Sequence, residues 1–198
     1  MNLDRVSPDL RPMAEDIARR FGNRIDAWDT PRPNEVYVHA SMDLAAGFCA
    51  HLHRRWNARL IAVFADDFRN EGGVFHLYYA LAADAAHGFV FLRAPVSPDT
   101  PQFTSLANAI PALNWQEREV QDMFGLKLVG HPNPRRCALH DDWPEVYPLR
   151  KDFGLRTVLP PFQGERHKFR QVEGEGVFQV PVGPVHAGII EPGHFLFS

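Results

Sequence analysis

Only two cysteines, Cys49 and Cys137, occur in 198 residues, far apart and without a CxxC spacing. Two isolated thiols exclude an iron–sulfur cluster or a four-cysteine zinc site, and a disulfide framework is excluded with them. Also missing is any apolar run near the ~20 residues that a bilayer-spanning helix needs. The opening MNLDRVSPDLRPMAEDIARR has no apolar core of the signal-peptide kind, so a reducing, cytoplasmic setting is expected. The formal net charge of −3 gives no basic footprint, which argues against nucleic acid as a partner. No GxGxxG follows a strand and no GxxxxGK[ST] occurs, so neither usual phosphate-cradling loop is available. No GxSxG occurs. Asp66-Asp67 and Asp141-Asp142 are sequence neighbours that point apart, which disfavours a hydrolytic carboxylate pair. No self-contained catalytic site can be assembled.

What is present is apolar material, 45% hydrophobic and 12% aromatic, enough to bury a core. Residues 8–21 place Met13, Ile17 and Phe21 at helical spacing. Asn34 to Ala40 alternates Val36, Val38 and Ala40 against Tyr37 and His39, a strand. Ser41 is suited to cap an amphipathic helix through LAAGFCAHLHRRW. Arg59–Phe64, Val74–Leu81 and Phe89–Ala94 read as strands, with turn signals at 70–73 and 87–88 that suit an antiparallel meander. Thr104 is placed to cap a helix through Leu106 and Ile110. Asn114 is placed to cap a second helix ending at Met123–Phe124, with Gly125 as its stop. The expected fold is α+β: a two-layer sandwich with a mixed, largely antiparallel sheet on helices, over 1–155. An irregular arm follows over 156–198.

Residues 114–153, NWQEREVQDMFGLKLVGHPNPRRCALHDDWPEVYPLRKDF, are denser in charge than the 23% of the whole chain. Trp115, Met123, Phe124, Trp143, Tyr147 and Phe153 are interleaved with the charges, so the stretch reads as packed against something. Leu113, Val120 and Phe124 form one helical stripe, and Glu117 falls on it. A carboxylate there must be paired or protonated, and Arg135, Arg136, Arg150 and Lys151 are the available cations.

His51 and His53, two apart on a helix, read as surface and helix-end residues. His39 and His76 read as half-buried strand residues. The last 25 residues hold five glycines and three prolines among β-formers, which suggests a hairpin with Ala187–Ile190 in or near its turn. His186, Glu191 and His194 are a conceivable metal trio, set aside because Gly/Pro loops seldom preorganise ligands.

Several ordered blocks carry a resemblance: Glu117-Arg118-Glu119, Asp122-Met123-Phe124-Gly125, Gly130-His131-Pro132, Arg135-Arg136, Asp141-Asp142-Trp143 and Tyr147-Pro148-Leu149-Arg150-Lys151-Asp152-Phe153. They resemble the signature of the 30 kDa (C) subunit of respiratory NADH:quinone oxidoreductase. The same signature marks the N-terminal domain of the large subunit in formate-hydrogenlyase-type nickel–iron hydrogenases. The resemblance implies a non-catalytic docking module that carries no cofactor of its own. Its partners would be a large subunit of the 49 kDa or hydrogenase type and iron–sulfur subunits, peripheral on the inner face of the cell membrane. Such a complex uses NAD, quinone and iron–sulfur clusters, or a nickel–iron site with iron–sulfur clusters. The terminal VPVGPVHAGIIEPGHFLFS resembles the opening of the related large subunits, which implies a cavity-side loop carrying His186 and His194. Leu196 stands where the hydrogenase pattern would have Arg.

Overall fold

The period-two alternation after Asn34 forms strand β2, Glu35–Ala40, in which Val36, Val38 and Ala40 are fully buried. The computed structural model describes residues 3–161, 172–188 and 192–197. The chain divides into two compact units, Met1–Pro161 and Phe162–Ser198.

In the first unit, helix α1 (Arg11–Phe21) buries Met13, Ile17 and Phe21, the apolar positions the spacing selects. Strand β1 (Ile25–Asp29) precedes β2 and was not anticipated. It is an edge strand with no fully buried residue, so it has no apolar period to read. Ser41 does not cap the next helix: its hydroxyl turns to the Asp43 carboxylate. A 3₁₀ turn (Met42–Leu44) intervenes before helix α2, Ala45–Trp56, which Asn57 ends in the left-handed conformation. Strands β3 (Arg59–Phe68), β4 (Val74–Ala83) and β5 (Gly88–Val96) form the expected antiparallel meander, each longer than its apolar run. The single-turn helix α3, Arg69–Gly72, makes the β3–β4 turn.

The sheet order is β1-β2-β5-β4-β3, antiparallel throughout except for the parallel β2–β5 pair. α1 and α2 cover one face, where Met13, Ile17, Phe48 and Leu52 join Val38, Leu77, Tyr79, Leu81 and Leu92 in one core. The structure is therefore the expected two-layer α+β sandwich with a mixed sheet. Cys49 lies inside this core, and burial pushes its thiol up to about 12. Thr104 starts no helix. It ends strand β6 (Gln102–Thr104), which pairs in parallel with β7 (Lys127–Val129) across 25 residues of sequence that local propensity does not see. Between β6 and β7 lies helix α4, Asn114–Phe124. Asn114 is its first residue, not its cap, and the side-chain carboxamide of Gln116 seals the edge of β3 at Val63 N (2.7 Å) and Ile61 O (3.4 Å).

Residues 130–161 contain no helix or strand. In the second unit, β8 (Val180–Val185) and β9 (Gly193–Phe197) form an antiparallel hairpin, as the β-formers there suggest. The expected turn at Ala187–Ile190 lies partly outside the described residues, as does Glu191 of the conceivable metal trio.

Candidate functional site

Glu117 is fully buried, as the stripe of Leu113, Val120 and Phe124 requires, but its partners are not arginines. Ser105 Oγ donates to Oε2 at 2.5 Å and the Leu106 backbone N–H to Oε1 at 2.8 Å. The nearest cation-capable group is His131, whose Nε2 lies 3.9 Å from Oε2. His131 Nδ1 accepts from Asn133 N–H (2.9 Å), so the ring proton sits on Nε2, aimed at the Asn114 carbonyl (3.2 Å). Among the described residues, then, this buried carboxylate is held by neutral donors. The expectation of an Arg135, Arg136, Arg150 or Lys151 partner is overturned: each of those side chains is engaged elsewhere.

One residue on, Arg118 turns its planar fork to backbone. Its Nε donates to the Arg135 carbonyl (2.7 Å) and its Nη2 to the Arg136 carbonyl (2.8 Å), with the guanidinium 4.9 Å from the Trp115 ring centroid. A guanidinium suits two successive carbonyls because its donors diverge in one plane. One helical turn later, Asp122 Oδ2 accepts the N–H groups of Cys137 (2.8 Å), Ala138 (2.8 Å) and Leu139 (3.2 Å). Gln121 Nε2 takes the Pro134 carbonyl at 2.8 Å. Positions 118, 121 and 122 share one face of α4, so the helix grips the backbone of 134–139 by alternate polarity, cation to carbonyls and carboxylate to amides.

Gly125 ends α4 at φ +67, and any Cβ there would collide with the Tyr147 ring and fall 2.7 Å from Arg150 Nη2. That space is filled by Arg150, which donates from Nε to the Phe124 carbonyl (2.7 Å) and sits 4.2 Å from the Tyr147 and 5.2 Å from the Phe75 centroid. Burial, followed by the nearby Arg69, lowers the Arg150 pKa. A cation on the last carbonyls of a helix is favoured by the helix dipole. The Leu149 N–H adds a bond to the Met123 carbonyl at 3.1 Å.

The end of the segment is tied to β3. Asp67, 2% exposed in its side chain, accepts from Arg69 Nε (2.8 Å) and Nη2 (2.7 Å) and from the Lys151 N–H (2.9 Å). The Arg69 hydrogen bonds hold the Asp67 carboxyl well below the usual carboxylate range, against the opposing effect of burial. Arg69 also reaches Asp152 (3.1 Å), and Lys151 Nζ reaches Glu71 (2.6 Å). Sequence reasoning missed Asp67 and Arg69. Extending the alternation Val63, Ala65 by one more step would have put Asp67 on the buried face, a signal that it needed a partner.

The remaining signature positions are more local. Phe124 is buried, and the Gly130 carbonyl (φ +77) accepts from Asn108. Asp142 pairs with His140 (2.8 Å), and Trp143 Nε1 donates to the Val146 carbonyl (2.7 Å). Pro148 and Phe153 are half-buried. Glu119, Pro132, Arg135 and Leu149 are exposed, and Trp115 beside them is 66% exposed. In the second unit, His186 follows β8 and His194 stacks over Gly183 inside the hairpin. Among the described residues no group of three or more His, Cys, Asp or Glu converges as a metal site would require. His51, expected at the surface, bonds the buried Asp16 at 2.7 Å. His53 is a helix-end residue near the Ala58 carbonyl (3.1 Å), as expected.

The clamped segment and most of the sheet coincide with a recognised family. The model of the "Respiratory-chain NADH dehydrogenase, 30 Kd subunit" matches residues 38–158, more than half of the chain. The chain belongs to this family. Hydrogenase-4 component G of Escherichia coli (strain K12) is 36% identical over 168 residues, covering 82% of this chain and 30% of that protein. Formate hydrogenlyase subunit 5 of the same organism is 34% identical over 174 residues, covering 85% of this chain and 30% of that protein. The C subunit of NADH-quinone oxidoreductase from Salinispora tropica is 39% identical over 89 residues, covering 45% of this chain and 36% of that protein. This 30 kDa-family chain thus spans about a third of each relative's length, 30% to 36%.

Two solved structures share its fold. A chain of the membrane-bound sulfane sulfur reductase, an archaeal respiratory membrane complex, superposes with a TM-score of 0.63 at 20% identity, over 80% of this chain and 98% of that one. The trypsin-resistant fragment of Nqo5 superposes with a TM-score of 0.53 at 20% identity, over 63% of this chain and 98% of that one. No helix among the described residues of this family member is long and apolar enough to cross a membrane.

Proposed function

We propose that the chain is a non-catalytic docking subunit or domain of a membrane-associated electron-transfer complex. The observation that carries this reading is the use made of the family signature. Arg118, Asp122 and Arg150 spend their polar groups on the backbone of 124–139, building a fixed surface in place of a reactive site. A surface fixed in this way is preorganised for a partner, because little ordering entropy remains to be lost on association. Trp115, Glu119, Arg135 and Leu149, displayed on that surface, are the side chains offered to it. Its partners would be a large subunit and iron–sulfur subunits, holding the chain at the inner face of the membrane. The NAD, quinone, iron–sulfur or nickel–iron groups of such a complex would reside in those other polypeptide segments.

Two parent complexes are in view, a quinone reductase and a hydrogenase of the formate-hydrogenlyase type. Coverage favours the second, because the hydrogenase-type relatives align with more than four-fifths of the chain and the quinone-reductase relative with less than half. In that reading the chain corresponds to the N-terminal portion of a large subunit.

The test is affinity purification of the tagged chain from its native membranes, with the recovered proteins identified by mass spectrometry. A large subunit and iron–sulfur proteins should be recovered, and hydrogen uptake with a viologen dye against NADH-dependent quinone reduction separates the two parents. Recovery of the chain alone from the soluble fraction would sink the docking reading.

A further inference from the structure

The helices of the first unit cover one face of the five-stranded sheet, and the opposite face carries an aromatic platform. Tyr37 of β2 stacks on Phe91 of β5 (centroids 4.3 Å apart, planes 11°), and Phe64 of β3 stacks on Tyr78 of β4 (4.8 Å, 8°). These pairs follow from register. Tyr37 faces Phe91 across one strand pair, and His39, Arg93, Tyr78 and Phe64 form a single row across four strands. Phe64 is 41% and Phe89 37% exposed, while Tyr37, Tyr78 and Phe91 are half-buried.

Arg93 stands in the middle of that row, half-buried, with no carboxylate within ion-pair distance among the described residues. Its Nη2 donates instead to His39 Nδ1 at 2.8 Å. An Nδ1 that accepts leaves the ring proton on Nε2, which lies 2.9 Å from Asp29 Oδ2, so His39 is neutral and offsets none of the guanidinium charge. The surroundings register that charge. After burial, the larger cause, Arg93 pushes the pKa of His39 and of His76 down. Asp66, in the row beyond, faces His76 instead. A half-buried cation whose partners are the His39 ring and the Tyr78 hydroxyl, with no counterion, is costly unless something else supplies the negative charge.

We infer that the open face of the sheet is a docking surface for a protein segment presenting a carboxylate between aromatic or aliphatic side chains, with Arg93 as its anchor. The chemistry selects that partner. The guanidinium fork accepts a carboxylate in bidentate fashion, and the stacked rings on either side offer flat apolar area to its neighbours. Asp29, Glu35 and Asp66 at the margins disfavour the closely spaced phosphates of a nucleic acid, which a platform of stacked rings would otherwise suit. The inference extends the docking reading to a second, definite face.

The isolated 198-residue chain is titrated with blocked tripeptides and followed by the backbone amide and arginine side-chain resonances in NMR. One probe has glutamate between two phenylalanines, a second has glutamine there, and a third is an oligo-uridine. The glutamate peptide should shift the resonances of 76–80 and 89–93 saturably and bind about tenfold more tightly than the glutamine peptide, as expected for a hydrogen bond to a charged group. Arg93→Met should abolish the preference. Phe64→Ala, at the exposed end of the row, should weaken both peptides and keep the preference, which preserves the test if Arg93→Met does not fold. Equal affinity for the two peptides in the parent chain, saturable shifts confined to other surfaces, or preferential binding of the oligonucleotide would each overturn the proposal. Because no partner subunit is present, the outcome is independent of whether the chain is recovered in a complex.

Discussion

Glu117 and Asp16 are both inward-facing carboxylates on helices, and they are satisfied in different ways. Glu117 is served by a hydroxyl and a backbone amide. Replacing it with Ala leaves the Ser105 hydroxyl and the Leu106 N–H buried without an acceptor and opens a small cavity, at a cost of about 2–4 kcal/mol. Glu117→Gln keeps an acceptor for Leu106 and turns the other atom into a donor that the rotatable Ser105 hydroxyl can accept, so the loss should be about 1 kcal/mol. Urea denaturation at neutral pH distinguishes these, and an unchanged midpoint for Glu117→Ala would falsify the buried-acceptor role. Asp16 is gripped by charge-capable donors and an indole: Arg19 at 2.5 Å, His51 at 2.7 Å and Trp56 at 2.8 Å. Burial alone would raise its pKa, but the bonds from Trp56, His51 and Arg19 together bring it down to about 2. A folded-state value below the unfolded one means stability that is present above the unfolded pKa and lost as pH falls through the folded one. Asp16→Asn should therefore lower the urea midpoint at pH 7. Its deficit relative to the parent should shrink steadily between about pH 5 and pH 2. A deficit that is constant down to pH 2 would show that the carboxylate charge contributes nothing.

At the scale of the element, α4 explains why the stretch after it has an ordered course without any helix or strand of its own. Backbone groups that would otherwise lack partners are accepted or donated by Arg118, Gln121 and Asp122, so side chains of one helix replace a sheet partner. The turn at Gly125 closes the device, since Tyr147 and Arg150 occupy the space a side chain would need. Gly125→Ala should cost about 1 kcal/mol for the left-handed backbone, plus the displacement of the Arg150 stack. The readout is local. Trypsin should cut after Arg150 and Lys151 markedly faster in the variant than in the parent, and equal cleavage rates would show that the stack does not hold the segment. Helix α4 was legible because its apolar stripe and glycine stop are local signals. The supposed helix from Thr104 was not, because Gln102–Thr104 is recruited as a strand by Lys127–Val129. β1 escaped notice for a related reason: an edge strand with both faces partly wet has no pattern beyond its pairing with β2.

At the scale of the molecule, the parallel β2–β5 pair decides what the protein displays. It brings residues from 35–39 beside 89–93, so that Tyr37 meets Phe91 and His39 meets Arg93. One face of the sheet is then a sealed core and the other an aromatic surface with a lone guanidinium. Part of the signature, by contrast, works inward, with Glu117, Arg118, Asp122 and His131 buried. In the docking role proposed above it would contribute shape and rigidity, and the contacts would fall to its exposed neighbours.

The sequence by itself determined the elements whose period is local: α1, β2, the meander strands and α4. It also determined the family, because the spaced signature blocks survive as linear text. That Glu117 points inward followed from helical geometry alone. Which group would meet it did not: the sequence pointed to four cations, and the partners are the Ser105 hydroxyl and the Leu106 N–H, which only distances could select. Those distances depend on where the chain recrosses itself, which no nearest-neighbour pattern encodes. The same holds for Asp67 and Arg69, for the carbonyls that Arg118 and Arg150 take in place of carboxylates, and for the aromatic face around Arg93.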